Sequence, residues 1–331
     1  MRVGIGLFTT QRPQEDARST RQRYRQTVDL VRLAEREGFH SAWVSEHHGT
    51  DDEYLPSVFP MCGALAEATN TITIGTSLAL APFYDPIRLA EDAAVVDLLS
   101  GGRFQLGLGI GYRDPEFETF SVPKEERVAR LVDCVRVCNH AWTGKPFSYD
   151  GNIFEYEDAI VTPTPVQGTD LPILIGSYAE PGVRRAARIA DGYIAGGDSK
   201  DVVERQFGWI ADEADESFPT YLLRDAFVGD SAEDAWEKMV DGLAHTKGVY
   251  AKWFAESSDE FSRADDPEAK WREEALYGSP DELVRQLLEF DDLLGAEDHI
   301  ILRMDHPGLS YDVLASAVET VGSEVIPQIS S

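Results

Sequence analysis

The chain has 331 residues, 59 acidic and 30 basic, for a net charge of −29. Such a surface makes nucleic acid and anionic membranes poor partners, and no apolar run reaches the roughly 18 residues a membrane span needs. Lysine occurs only at positions 124, 145, 200, 238, 247, 252 and 270, the other 23 basic residues are arginine, and the acids are spread over the whole chain, so the protein reads as halophilic, made for a salt-rich cytoplasm.

The elements alternate. Strands are expected at Val3–Phe8, Ala42–Ser45, Ile72–Leu78, Phe104–Gly109, Ile173–Gly176, Gly192–Ala195, Thr220–Val228 and His299–Arg303. Helices are expected at Tyr24–Glu37, Ser57–Ala68, Pro86–Leu99, Lys124–Trp142, Pro181–Ile189, Val202–Ala214, Ala232–His245, Pro280–Leu294 and Tyr311–Val325. The first four strands are short, rich in Val, Ile and Leu, and separated by helices, which implies parallel pairing buried on both faces. Eight strands in this alternation favour one (β/α)₈ TIM barrel spanning 1–331 over an open doubly wound sheet. Two stretches interrupt the repeat. Residues 143–170 are rich in Gly and Pro, with a short hairpin expected around Phe147–Tyr156. Residues 246–278 mix charge with Tyr250, Trp253, Phe254, Phe261, Trp271 and Tyr277, and read either as an aromatic lid or as a helical excursion on the barrel exterior.

The start, Met1 to Phe8, reads as a strand with no leader, so a cytoplasmic location is expected. The three cysteines, Cys62, Cys134 and Cys138, lie in apolar helical patterns and read as small core residues; a metal on Cys134, Cys138 and His140 is the weaker reading, and none is expected. A charge of this size repels itself in dilute buffer and is screened by salt. The melting temperature should therefore rise between dilute buffer and molar KCl; an unchanged value would count against the halophilic reading.

Four constellations could carry chemistry, each near a strand's C-terminal end, where α/β folds gather their sites. Glu46-His47-His48 follows the second strand. Neighbouring side chains on extended backbone diverge, so both imidazoles cannot easily meet one ion; a cofactor or substrate contact by one of them is better supported. Glu46 is expected to be structural, paired with a buried arginine. At Gly75–Pro82 the small residues, Ser77 and Leu78 among them, either admit a flat ring or pack a barrel layer. The glycines of 101–111 lack a dinucleotide fingerprint, because Tyr112 stands where a third glycine is needed; Gly109 is expected to open the strand end for a ligand, with Tyr112, Arg113 and Glu116 following. Ser177-Tyr178-Ala179 precede a helix and could seat a phosphate, with Glu180 as the mark against it. Phe83, Tyr84 and Tyr112 are candidates for an apolar substrate pocket.

These motifs, in this order, resemble the bacterial-luciferase-like family of flavin-dependent oxidoreductases. The resemblance rests on Ala34-Glu35-Arg36-Glu37-Gly38-Phe39, on Trp43 with Glu46-His47-His48, on Pro86–Asp92, Leu99–Arg103, Gly107–Arg113 with Glu116-Phe117, and Pro163–Gln167, Arg184–Arg188 and Ala190–Gly192. It is close over 1–195 and holds only in outline beyond. It implies a (β/α)₈ barrel carrying reduced FMN, or a deazaflavin, at the mouth. It implies His47 as the catalytic imidazole, with His48 and Glu116 as further candidates, and a non-prolyl cis peptide at Ser77-Leu78 against the ring. Ser177, Tyr178 and Ala179 would meet the phosphate, although Ile110 stands where some relatives place a phosphate-binding arginine. The implied activity is monooxygenation of a small organic substrate with reduced flavin and O₂, fed by a separate flavin reductase. The alternatives are hydride transfer with deazaflavin, or a non-catalytic flavin-binding barrel. A homodimer through the helices at 57–68 and 86–99 is also implied.

Overall fold

A computed structural model describes residues 1–196, 199–257, 267–290, 292–295 and 298–329. Eight strands form the barrel: β1 Arg2–Phe8, β2 Ser41–Val44, β3 Thr73–Thr76, β4 Phe104–Gly109, β5 Ile173–Gly176, β6 Gly192–Ala195, β7 Thr220–Val228 and β8 His299–Arg303. Each pairs in parallel with the next, and β8 pairs back onto β1 through Arg2↔His299 to Gly6↔Arg303, so the sheet closes. Helices α1 Thr20–Arg36, α2 Val58–Ala68, α3 Pro86–Ser100, α4 Asp114–Phe120, α5 Arg127–Ala141, α6 Glu180–Ile189, α7 Lys200–Ala211, α8 Ala232–Glu256, α9 Pro267–Glu274, α10 Pro280–Leu288 and α11 Tyr311–Thr320 connect the strands or flank them. Among the described residues no helix is long and apolar enough to cross a membrane.

Local chemistry sets the helix ends. Ser19 and Ser279 form capping boxes with Gln22 and Glu282. Asp85 caps α3 ahead of Pro86, and Gly101 ends that helix in the left-handed region at φ 69°. The 143–170 excursion holds the expected hairpin, Phe147–Asp150 against Glu155–Ala159. The 246–278 stretch divides. Its first part continues α8 well beyond the expected end at His245, carrying Tyr250 and Trp253 to the mouth. Its last part packs outside: Tyr277 lies 5.0 Å from Trp236, and Leu276–Gly278 adds a short strand beside β7. Phe261 lies outside the described residues.

One tryptophan fills the centre of the barrel. Trp43 is fully buried, donates from Nε1 to Ser41 Oγ at 2.9 Å and meets Tyr221 edge-on at 5.3 Å. Its room comes from glycines. A methyl at Gly75 would lie 2.1 Å from the indole, and one at Gly6 2.9 Å from the Trp43 Cβ. Of the two readings of the small residues at Gly75–Pro82, Gly75, inside β3, therefore takes the packed layer. Leu7, Leu174, Ile194 and Ile301 complete that layer.

Beneath it His299 stacks on Tyr221, with ring centroids 4.6 Å apart. Burial, then the charge of Arg2, pushes its pKa from 6.5 down to about 3. The unfolded chain therefore binds a proton below about 6.5 that the folded barrel refuses, and stability must fall as pH drops through that window. His306, pushed down to about 4 by burial, adds to the same limb. The urea midpoint should decline from pH 6.5 downward, and His299→Phe, which keeps the ring without the titration, should make that decline shallower. An identical slope would rule out His299 as a source.

Candidate functional site

The backbone leaves β2 and delivers His47 and His48 to the mouth at the strands' C-terminal ends. The two imidazoles diverge to different carboxylates. His47, 5% exposed, places Nδ1 2.9 Å from Glu116 Oε1. That oxygen also accepts the His48 backbone N–H at 2.8 Å and Arg113 Nη1 at 3.0 Å. Burial pushes the Glu116 carboxyl up, but the His47 hydrogen bond, the His48 N–H and the Arg113 charge outweigh it and hold the group below the usual carboxylate range. An ionised Glu116 fixes Nδ1 as the protonated nitrogen. The only hydrogen bond of the ring among the described residues is this one at Nδ1, which leaves Nε2 open, and Glu116 Oε2 is buried and unpaired among them. Rings of Tyr54, Tyr112, Tyr250 and Trp253 surround the imidazole, Trp253 at 4.7 Å, and Arg113 lies 4.1 Å over the Trp253 face.

His48 Nε2 lies 2.9 Å from Glu46 Oε1. Among the described residues Glu46 meets no arginine, contrary to expectation: its carboxylate accepts the Leu80 N–H and the Tyr84 hydroxyl, each at 2.7 Å. It is an anchor between the β2 and β3 ends. Tyr84 is thereby tied to that anchor, while Phe83 stacks on Phe120 at 4.7 Å and approaches His48 at 5.8 Å.

The Ser77-Leu78 peptide is cis. Leu78 packs on both Gly109 and Gly176, where added methyls would come within 2.9 and 2.5 Å of it. Gly109 therefore opens the end of β4 to Leu78, which forms the floor of the mouth. At the β5–α6 turn, Ala179 caps α6 without a side-chain hydrogen bond. Tyr178 turns outward, 60% exposed, its ring over Gly196. Around Gly182 a methyl would meet Ser177 Oγ at 2.0 Å and Arg185 Nη1 at 4.0 Å. Glu180 is engaged by Arg184 at 2.8 Å on the exposed side, which answers the electrostatic objection to an anion here.

With this geometry in view, comparison with known proteins settles the kinship. The luciferase-like monooxygenase family model matches residues 1–299. The chain belongs to that family. The luciferase-like chain is 26% identical, over 98% of its length and 95% of the other's, to the oxygenase component of a flavin-dependent trigonelline monooxygenase from Acinetobacter baylyi. It is 34% identical over 50% of its length, and 51% of the relative's, to an F420-dependent glucose-6-phosphate dehydrogenase from Microbacterium testaceum. It superposes with a TM-score of 0.82, at 18% identity and 99% and 98% coverage, on the oxygenating constituent of 3,6-diketocamphane monooxygenase from Pseudomonas putida in complex with FMN.

In this luciferase-like barrel His47, Glu116 and Tyr112 meet in one cluster. His48, Phe83 and Tyr84 form an adjacent one around Glu46. Ser77, Leu78 and Gly109 lie in the floor, and Ser177, Tyr178 and Ala179 lead into α6. Sequence reasoning gave no role to Tyr54, Arg113 or Arg185, nor to a polar group on the β7–β8 side: Gln11, Asp225, Lys247 and Arg303. Arg113 and Arg185 sat inside quoted motifs. Nothing in spacing could join Lys247 to Asp225 across a strand-to-helix connection.

Proposed function

We propose that this luciferase-like barrel is an FMN-dependent monooxygenase, using reduced flavin and O₂ on a small organic substrate. The observation that carries the reading is the buried His47, oriented by ionised Glu116, with Nε2 uncommitted among the described residues at the mouth. The full-length similarity to a flavin-dependent oxygenase component supports oxygen chemistry over hydride transfer with F420, where the relative matches half the chain.

The residues fit a phosphate-tailed redox ring. Leu78 offers an apolar floor, His47 Nε2 and the orphaned Glu116 Oε2 offer polar contacts, and the α6 start with Ser177 and Arg185 suits a phosphate. Arg185, with no acceptor among the described residues, would supply the cation missing at Ile110. When bound, reduced FMN supplies the activation of oxygen. The chain's own part is to orient His47 through Glu116, hold or pass a proton at Nε2, and exclude water with Tyr250 and Trp253. Those rings press on the imidazole, so the last turns of α8 must shift to admit a ligand.

Fluorescence titration with FMN and with F420, followed by substrate-dependent NADH oxidation with an added flavin reductase, tests the reading. FMN binding with coupled turnover is the expected result; binding of F420 alone would move the assignment to hydride transfer. Exposed Val95, Leu98 and Leu99 on α3 support a homodimer through that face, which sedimentation would check.

A further inference from the structure

Arg303 closes β8, is 5% exposed, and pairs in register with Asp225 of β7. The ion pair that this register permits is not made at hydrogen-bond distance. Asp225 turns to Lys247, with Oδ2 2.8 Å from Nζ, and leaves its other oxygen 3.9 Å from Arg303 Nε. That Nε has no hydrogen bond among the described residues. The remaining contacts of the guanidinium are long: Nη2 is 3.5 Å from Gln11 Oε1 and 3.4 Å from Thr246 Oγ1. Two further carboxylates stand near. Asp52 takes the Gln11 amide at 2.7 Å and His245 at 3.3 Å, and Asp305, which lines a cavity of about 30 Å³ with Arg18 and Arg23, also lies within the field of Arg303.

A guanidinium that loses its water and keeps only long contacts, with Nε bonded to nothing among the described residues, is an under-filled binding group. Two cations, Arg303 and Lys247, share the Asp225 carboxylate, and Lys247 holds the nearer oxygen. The fork geometry of a guanidinium suits a planar carboxylate, held by two parallel hydrogen bonds. Tyr54 and Tyr250 lie within the field of Arg303, join hydroxyl to hydroxyl at 3.0 Å, and stand 4.9 and 5.8 Å from the imidazole.

We propose that Arg303 is the anion-recognising residue of the substrate site, and that this enzyme takes a small organic monocarboxylate whose apolar body lies along Tyr54 and Tyr250. This rests on the reading of His47 as the reacting end. A phosphate ester brings a second charge that a single guanidinium does not match.

The test is calorimetric binding to the full-length protein at constant molar KCl, with benzoate, phenyl phosphate and the neutral isostere benzamide as probes. Benzoate should bind about tenfold or more tighter than benzamide, and tighter than phenyl phosphate. Arg303→Gln should bring the benzoate-to-benzamide ratio close to one. Arg303→Lys, which keeps the charge without the fork, should weaken benzoate several-fold and leave benzamide unchanged; it carries the test if the glutamine variant fails to fold. No preference for benzoate over benzamide in the parent protein, or a preference that survives both substitutions, overturns the proposal. Stronger binding of phenyl phosphate overturns the carboxylate assignment. FMN titration of the same variants keeps the two readings apart: a protein that discriminates carboxylates through Arg303 yet binds no flavin would sink the cofactor assignment and leave the anion site standing.

Discussion

His47→Ala is expected to lower kcat about 10²–10⁴-fold, the usual worth of a positioned acid–base group, while FMN affinity changes little. The expectation follows from the hydrogen bonds around the imidazole. Nδ1 is spent on Glu116, so all chemistry falls to Nε2. Removing the ring leaves Glu116 still paired with Arg113 and the His48 N–H, so no bare buried charge remains to unfold the mouth. The effect should therefore appear chiefly in turnover, with only the modest fall in the urea midpoint that the lost ring contacts cost. Glu116→Gln should give a smaller loss, because the ring stays but its tautomer is no longer imposed. His48→Ala should cost least, since that imidazole is turned to Glu46. Single-turnover rates with pre-reduced FMN would measure all three. Full activity in His47→Ala would remove the imidazole from the mechanism.

The second large effect concerns stability. Gly75→Ala places a methyl 2.1, 2.4 and 2.7 Å from three ring carbons of Trp43. The indole is wedged against Tyr221 and tied to Ser41, and cannot swing aside. Overpacking of this kind costs about 1–3 kcal/mol and occasionally more, and the upper end is expected here. Trp43→Leu alone should cost about 3–5 kcal/mol, as for other large core truncations. Combined, each change relieves what the other provokes. The double variant should be more stable than the sum by about 1–3 kcal/mol. Urea unfolding in molar KCl would show it, and strict additivity would mean the methyl is accommodated by some other movement.

Much of the barrel was written locally. Phe104–Gly109, Ile173–Gly176, Gly192–Ala195, Thr220–Val228 and His299–Arg303 have the bounds expected from apolar runs between turn residues. A buried parallel strand and an amphipathic helix each leave a periodic trace in the residues that form them. Boundaries failed where tertiary packing decided: α8 runs on to Glu256 because Tyr250 and Trp253 find rings to pack on at the mouth.

The sequence by itself determined the alternation of strands and helices, the acidic surface, and a His-His pair at the end of the second strand. It could not decide that Glu46 needs no arginine, that Glu116 orients His47 from 69 positions away, or that Lys247 takes Asp225 from Arg303. Periodicity reports which face of an element is buried, and nothing about what lies against it. Hydrogen bonds and ion pairs between distant segments exist only after the barrel closes, and the chemistry of this site is made of them.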